Sequence, residues 1–134
     1  MIIDCYDIET EPMLGLQDFY GEQKHILDTC LIVFSEEIHA HLLDTYDCEV
    51  IGRMNACNGS TPIYRMNYKG KEIAFYLTSI GSAMASAECS EANWLTGATR
   101  FVMFGSCGSL DRAGAADLLL LPVLFPGRLL CRHG

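Results

Sequence analysis

A short apolar run that stops at a loop of small residues constrains the fold of this chain most strongly. The run covers Phe101–Phe104, and its length and abrupt end predict a buried strand. Gly105 and Gly108 in the loop lack a Cβ, so positive φ angles are open to them and a ligand can approach their backbone. Ser106 and Ser109 add hydroxyl groups. The pattern predicts hydrogen-bond donors at the carboxyl end of a strand, where open α/β sheets bind ligands; a Gly-Ser connector without a function is the alternative.

The upstream sequence predicts a strand followed by a capped helix. Residues 30–34 form a continuous apolar run, which is typical of a strand buried on both faces. Ser35 follows as a hydroxyl N-cap, and Glu36 and Glu37 place acids in the first turn, where the helix dipole favours them. Ile38, Leu42 and Leu43 then form one apolar stripe.

A hairpin and a second helix complete the pattern before the glycine-serine loop. Two runs at 49–54 and 62–67 read as strands, the turn at 68–71 connects to a third at 72–77, and residues 84–95 form an Ala-rich helix. With residues 100–104 as the next strand, this order predicts an α/β protein with a mixed central sheet flanked by helices.

The composition fits one domain and argues against nucleic acid and membranes as partners. The chain has 134 residues, half of them hydrophobic, and 17 acidic against 9 basic side chains give a net charge of −8. Nucleic-acid binding needs clustered Lys and Arg, so this balance disfavours it. The apolar run at 118–121 is far too short for a bilayer, which needs about 20 residues. We divide the chain into an irregular segment at 1–28 with a short helix at 17–25, a domain at 29–122 and an atypical tail at 123–134.

Cysteines and histidines predict no metal site. The seven cysteines contain no C-x-x-C pair, so we expect small buried side chains rather than zinc ligands. His39 and His41 lie two apart on a predicted helix and face different directions, so we expect solvated histidines. No secretory signal opens the sequence, and free thiols in a cytoplasmic setting are the simplest interpretation.

An ordered set of short motifs resembles the nucleoside phosphorylase family, which includes purine nucleoside phosphorylases, uridine phosphorylases and related nucleosidases. The set comprises Ser79-Ile80-Gly81, a helix with Glu91 near its middle, Gly97-Ala98 and the loop at 105–108. The Gly-Ser-Cys-Gly spelling is most similar to the purine-specific hexameric branch. The resemblance covers about 30–122 and implies an α/β/α fold that is incomplete at the C-terminus.

The resemblance implies a nucleoside-binding site on the two glycine-containing loops. Ser106 matches the position that contacts phosphate and ribose, Cys107 and Gly108 match positions that line the base, and Gly81 matches the turn beside the site; Gly105 begins the second loop. The implied activity is cleavage of the N-glycosidic bond of a purine or uridine nucleoside. Inorganic phosphate would be the co-substrate, with no other cofactor and no metal. A homo-oligomer is implied as well.

Several departures leave the reaction open. The Gly-Asp-Pro phosphate loop of the family is replaced by Val33–Glu37, and its phosphate-binding Arg is Met103, which we expect in the core. The segments that grip the ribose and the base in the family have no counterpart within the 134 residues. We therefore expect a truncated or frameshifted reading frame that is catalytically incomplete. A nucleosidase of the same fold, a non-catalytic nucleoside-binding module and an inactive product remain alternatives.

Glu88 and Glu91, three apart on the second helix, are a further pair of candidates. A paired acid/base role is one interpretation. In the family the glutamate of this helix is usually structural and tied to the neighbouring loop, and this is the role we expect.

Overall fold

Strands and helices follow one another along the chain in the order that the sequence predicts. The computed structural model describes Thr10, residues 12–57 and 59–105, and the backbone of 120–124. The elements are α1 (Leu16–Tyr20), β1 (Thr29–Val33), α2 (Glu36–Thr45), β2 (Glu49–Ala56), β3 (Gly59–Tyr68), β4 (Lys71–Leu77), α3 (Ser82–Thr96), β5 (Arg100–Phe104) and β6 (Leu120–Leu124). In the ranges that the structure describes, no helix has the length and hydropathy needed to cross a membrane.

The six strands of the described residues belong to one mixed sheet with the order β2-β3-β4-β1-β5-β6. Strands β2, β3 and β4 form an antiparallel meander. Strand β1 runs parallel to both β4 and β5, and β6 pairs antiparallel with β5. Val33 at the end of β1 lies opposite Leu77 on one side and Phe104 on the other. The carboxyl ends of three parallel strands therefore meet at one edge of the sheet. The predicted mixed α/β architecture is confirmed.

Helices pack against both faces of the sheet. One face is covered by α3, and its apolar side chains form a single buried cluster that includes Cys30, Ile32, Tyr76, Cys89, Ala92, Leu95 and Phe101. Neighbouring residues of a strand point to opposite faces, so Phe75 points away from α3. There it meets the His39 ring of α2, with a centroid distance of 5.6 Å.

The first helix is shorter than predicted because Gly21 ends it. Gly21 has a φ of 71°, outside the helical region, and the chain after it contacts the C-terminal end of α3. The backbone N–H of Lys24 donates to the Trp94 carbonyl at 3.0 Å, and that of Ile26 donates to the Thr96 carbonyl at 2.7 Å. The indole N–H of Trp94 donates to the Gly21 carbonyl at 3.0 Å. Residues 21–28 thus form a strap that fixes the C-terminal half of α3.

Element boundaries agree closely with the sequence pattern where the signals are local. Ser35 caps α2 as predicted, because its Oγ accepts the N–H of Ile38 at 3.4 Å. The last strand, β6, continues to Leu124, two residues past the predicted domain boundary. The division of the chain at 28 and 122 stays a prediction.

Candidate functional site

A cavity of about 410 Å³ lies at the carboxyl edge of the parallel strands. Residues that follow or end β1, β4 and β5 and the first turns of α3 line it: Phe34, Gly81, Ser82, Ala85, Ser86, Cys89 and Met103. None of these seven side chains carries a formal charge at neutral pH. The described lining is therefore apolar with two hydroxyl groups, which suits a neutral ligand with a few polar atoms.

Gly81 shapes the entrance of this cavity. It is the N-cap of α3, with φ 108° and ψ 141°, and it provides no side-chain hydrogen bond to the helix. Residues that carry a side chain rarely adopt this φ, which explains why glycine occupies this position. A Cβ at this position would meet no atom within 4 Å, so the space beside Gly81 is open. The first turn of α3 begins here, and its leading N–H groups have no partner within the helix.

Gly105 lies in close contact with Phe34, and its predicted contact with a ligand stays a prediction. Its φ lies outside the positive range, so the backbone conformation does not require glycine. An added Cβ would come within 3.0 Å of the Phe34 Cβ and within 3.2 Å of its ring. The absence of a side chain at Gly105 thus leaves room for the Phe34 side chain at the end of β5. Ser106, Cys107 and Gly108 lie outside the described residues, and their predicted contacts with a ligand stay predictions.

Phe34 and Met103 occupy the positions where the family resemblance would place a phosphate loop and an arginine. Phe34 is 39% exposed. Met103 packs against the core cluster, as predicted, and it also lines the cavity. The two side chains give an apolar surface to a region that would need cations to hold phosphate.

Acidic side chains follow Phe34 directly. Ser35 Oγ donates to Glu37 Oε2 at 2.6 Å, and this hydrogen bond lowers the pKa of the Glu37 carboxyl. The Glu37 carboxylate thus lies in the first turn of α2, three residues after Phe34.

The buried carboxylate of Glu88 is tied to the loop that leads into α3. Glu88 Oε2 accepts the Thr78 hydroxyl at 2.7 Å and the Ser79 backbone N–H at 2.9 Å. Its Oε1 accepts the Ser79 hydroxyl at 2.7 Å. The sequence placed the family glutamate at Glu91, but Glu91 accepts the Tyr20 hydroxyl at 2.8 Å on the strap side of α3. The carboxylates of Glu88 and Glu91 thus bind different parts of the molecule, and they do not form an acid/base pair.

Burial keeps the two cysteines of the core protonated. Cys30 and Cys89 are buried, and burial raises both thiol pKa values, that of Cys89 to about 12. Cys89 therefore lines the cavity as a protonated thiol. The expectation of buried cysteines fails at Cys57, which is exposed next to the β2–β3 turn.

His39 is also not the solvated histidine that the sequence predicted. Its ring lies 5.6 Å from the rings of both Tyr64 and Phe75, and its Nε2 is buried with no hydrogen-bond partner among the described residues. Burial lowers the pKa of His39. The expectation holds for His41, which is exposed. Among the described residues, no group of three His, Cys, Asp or Glu side chains is placed to hold a metal ion.

A second, larger cavity of about 620 Å³ lies at the opposite edge of the sheet. It is lined by residues 25–29, by Lys71, Glu72 and Ile73, and by Arg100 at the start of β5. These are the amino ends of the parallel strands, whereas open α/β sheets bind ligands at the carboxyl ends. We therefore take the smaller cavity as the candidate site.

The fold is the α/β fold of nucleoside phosphorylase-like proteins, as the sequence motifs predicted. Solved structures named as a nucleosidase and as a hydrolase are among those that match. The MTAN of Helicobacter pylori superimposes with a TM-score of 0.52 at 17% identity, over 64% of this chain and 37% of that one. A futalosine hydrolase mutant from H. pylori strain 26695 gives a TM-score of 0.51 at 17% identity, over 65% and 38%.

A third match is the H. pylori 5'-methylthioadenosine/S-adenosyl homocysteine nucleosidase in complex with a pyrrolopyrimidine-substituted pyrrolidinol. Its TM-score is 0.50 at 15% identity, over 66% of this chain and 37% of the nucleosidase. The chain thus spans less than two fifths of the structures that it matches. No protein family model matches the sequence, and no curated protein matches it either.

Proposed function

We propose that this protein binds a nucleoside at the carboxyl edge of its sheet and cleaves the N-glycosidic bond with water. The cavity next to Gly81 is the observation that carries the proposal. It lies where the fold class binds ligands, and its described lining is uncharged. The predicted loop at 105–108 would contribute donors to the ribose from the end of β5.

Three features favour water over phosphate as the attacking group. Phosphate is held in proteins by cations and by converging N–H groups, and the described lining has no cation. Phe34 and Met103, which both line the cavity, fill positions that the resemblance assigns to phosphate recognition. The matching structures are named as nucleosidases and a hydrolase. Phosphorolysis, the reaction that the sequence resemblance first suggested, therefore becomes the alternative.

The cavity is suited to holding the ligand rather than to moving protons. Phe34, Ala85 and Met103 offer apolar contact, and Ser82 and Ser86 offer hydroxyl groups on one face of α3. Glycosidic cleavage also needs stabilisation of the leaving base and a group that accepts a proton from water. The described lining has no such group, because the Cys89 thiol has a pKa of about 12. This favours a nucleoside-binding module without catalysis as the second candidate function.

Base release in the presence and absence of phosphate separates these functions. The purified chain is incubated with 5'-methylthioadenosine, adenosine or uridine in phosphate-free buffer and in phosphate buffer, and free base is measured by chromatography. Hydrolysis predicts the same rate in both buffers and free pentose as the second product. Release that requires phosphate and yields a pentose 1-phosphate would establish phosphorolysis instead.

Calorimetric titration with the same three nucleosides completes the test. Binding without base release would establish the binding module, and neither binding nor release would refute a nucleoside site at this edge. The predicted homo-oligomer and cytoplasmic location remain part of the proposal, and sedimentation of the purified chain tests the former.

A further inference from the structure

We propose that the cavity at the amino edge of the sheet is a second binding site, which takes a small organic anion with an apolar body and a carboxylate or phosphate group. This site is independent of the nucleoside site proposed above. Its volume of about 620 Å³ lies within the range of small-molecule pockets. Charged and apolar side chains line it together, whereas the described lining of the cavity at the carboxyl edge is uncharged.

Three neighbouring strands begin at this cavity and present polar side chains on one face of the sheet. The register places one residue each of β1, β4 and β5 side by side in the core cluster under α3: Cys30, Ala74 and Phe101. Side chains alternate along a strand, so residues one or three positions earlier point to the opposite face. Thr29, Lys71 and Arg100 stand at such positions. The two cations therefore share a face.

Lys71 and Arg100 lie on either side of the amino end of β1, because β1 separates β4 from β5. Neighbouring strands are about 4.8 Å apart, so the backbones of β4 and β5 lie about 10 Å apart across β1. The long side chains of Lys and Arg can converge over this distance on one group. Thr29, which lies opposite Arg100 in the register, adds a hydroxyl group from β1.

Both cations are accessible to a ligand. Lys71 is exposed, and it forms no ion pair with any residue of the described ranges. Arg100 pairs with Asp28 at 3.7 Å, but the two side chains are 60% and 81% exposed, and such surface pairs contribute little. A guanidinium has five N–H donors. A ligand oxyanion can therefore bind Arg100 beside Asp28.

The carboxylates of the lining are directed or balanced so that they do not block an anion. Glu72 follows Lys71, so its side chain points to the other face of the sheet. There Arg65 binds the Glu72 carboxylate at 3.4 Å. Asp28 is balanced by Arg100, which leaves the charge of Lys71 without a partner in the described structure. Carboxylates and phosphates are the groups that pair with such cations.

The apolar part of the lining indicates that the anion is an organic one. Ile26 and Leu27 of the strap and Ile73 of β4 line the cavity, and all three are partly exposed. A hydrocarbon group that covers them removes apolar surface from water, which stabilises the complex. An inorganic ion cannot provide this contact. The lining thus fits a molecule that carries its charge at one end and an apolar group at the other.

Calorimetric titration of the purified chain with four probes tests the site. Phenyl phosphate and benzoate have an apolar body and an oxyanion, inorganic phosphate lacks the body, and benzyl alcohol lacks the charge. We expect one or both organic anions to bind about tenfold more tightly than the other two probes. Binding of phenyl phosphate alone would identify phosphate esters as the ligand class, and binding of benzoate alone would identify carboxylates.

Two variants that remove a charge and one matched control locate the site. Lys71→Gln and Arg100→Gln should each raise the dissociation constant of the bound anion about tenfold, through the loss of a charge-assisted hydrogen bond. Lys69→Gln removes a charge two residues from Lys71. The Lys69 ammonium lies over the Tyr68 ring, 5.2 Å from its centroid, and Lys69 does not line the cavity. Since solvent and salt screen a charge outside the cavity, its loss should change affinity by no more than about twofold.

Failure of both organic anions to bind would overturn the proposal. Wild-type affinity in both Lys71→Gln and Arg100→Gln would also overturn it. An equal loss in Lys69→Gln would do the same, because attraction to the charge of the whole edge requires no site. Inorganic phosphate that binds as tightly as phenyl phosphate would contradict the role given to the apolar lining.

Discussion

At the scale of single residues, a glycine at the end of α3 holds the helix and the strap together. Gly97 has a φ of 79°, and an added Cβ would lie 2.7 Å from both the His25 Cα and the Lys24 carbonyl oxygen. Both obstacles are backbone atoms and cannot move aside. We expect Gly97→Ala to lower the free energy of unfolding by about 2–4 kcal/mol, through the strained φ and the overpacked contact. Urea denaturation measures this loss.

A substitution at Gly70 separates the effect of the strained φ from that of the overpacked contact. Its φ of 77° is similar, but a Cβ there would meet no atom within 4 Å. Gly70→Ala should therefore cost only about 1 kcal/mol, the strain of the left-handed backbone alone. Equal losses for the two variants would show that the strap does not press on Gly97.

At the scale of elements, the contact of α2 with the sheet is expected to depend on pH through His39. Burial lowers the pKa of His39 below its usual 6.5, so the folded state prefers the neutral ring. As the pH falls below 6.5, the unfolded chain takes up this proton first, and folding loses stability until the pH passes the lower folded value. We expect the thermal midpoint of His39→Phe to fall less between pH 7 and pH 5 than that of the wild type.

His41→Phe is the control, since this side chain lies on the same helix but is exposed. A His39→Phe variant with the wild-type pH dependence would mean that the ring titrates freely and that α2 does not bury it.

Local signals in the sequence predicted elements well, and contacts between distant residues were missed. The Ser35 cap and the Arg100–Phe104 strand follow from neighbouring residues, so the sequence pattern was sufficient. The burial of His39 depends on where β3 and β4 place Tyr64 and Phe75. The hydrophobic pattern of α2 contains no information about the register of β3 and β4.

The candidate site was predicted only in part for the same reason. Gly81 of the Ser-Ile-Gly motif lines the cavity, and its contact with a ligand stays a prediction. The close contact of Gly105 with Phe34 arises from the parallel pairing of β1 with β5, which brings two distant segments together. The link from Glu88 to Thr78 and Ser79 needs the loop to fold back on its own helix, so the sequence alone could not distinguish Glu88 from Glu91.

At the scale of the whole molecule, the two cavities at opposite edges of the sheet allow a direct test of which one binds. Ser86 lines the cavity at the carboxyl edge, and its exposed side chain can be enlarged without disturbing the core. Ser86→Trp should fill this space and raise the nucleoside dissociation constant by about tenfold or more. Calorimetric titration provides the measurement.

Lys71→Trp makes the matching change in the cavity at the amino edge. Because distant sites act independently, we expect it to alter nucleoside affinity by no more than about twofold. If Lys71→Trp weakened nucleoside binding and Ser86→Trp did not, the site would lie at the amino edge of the sheet instead.

The central position of β1 also determines the order in which the sheet can assemble. Its two parallel partners begin only at Lys71 and Arg100, whereas β2, β3 and β4 are joined to one another by short connections. Pairings between distant segments form slowly because a long loop must close first. During synthesis the meander can therefore form early, whereas β1 can pair with β4 only after residues 71–77 have emerged, and its other edge stays unpaired until β5 follows. We expect this delay to make the Cys30–Val33 segment the part of the nascent chain that most needs a chaperone.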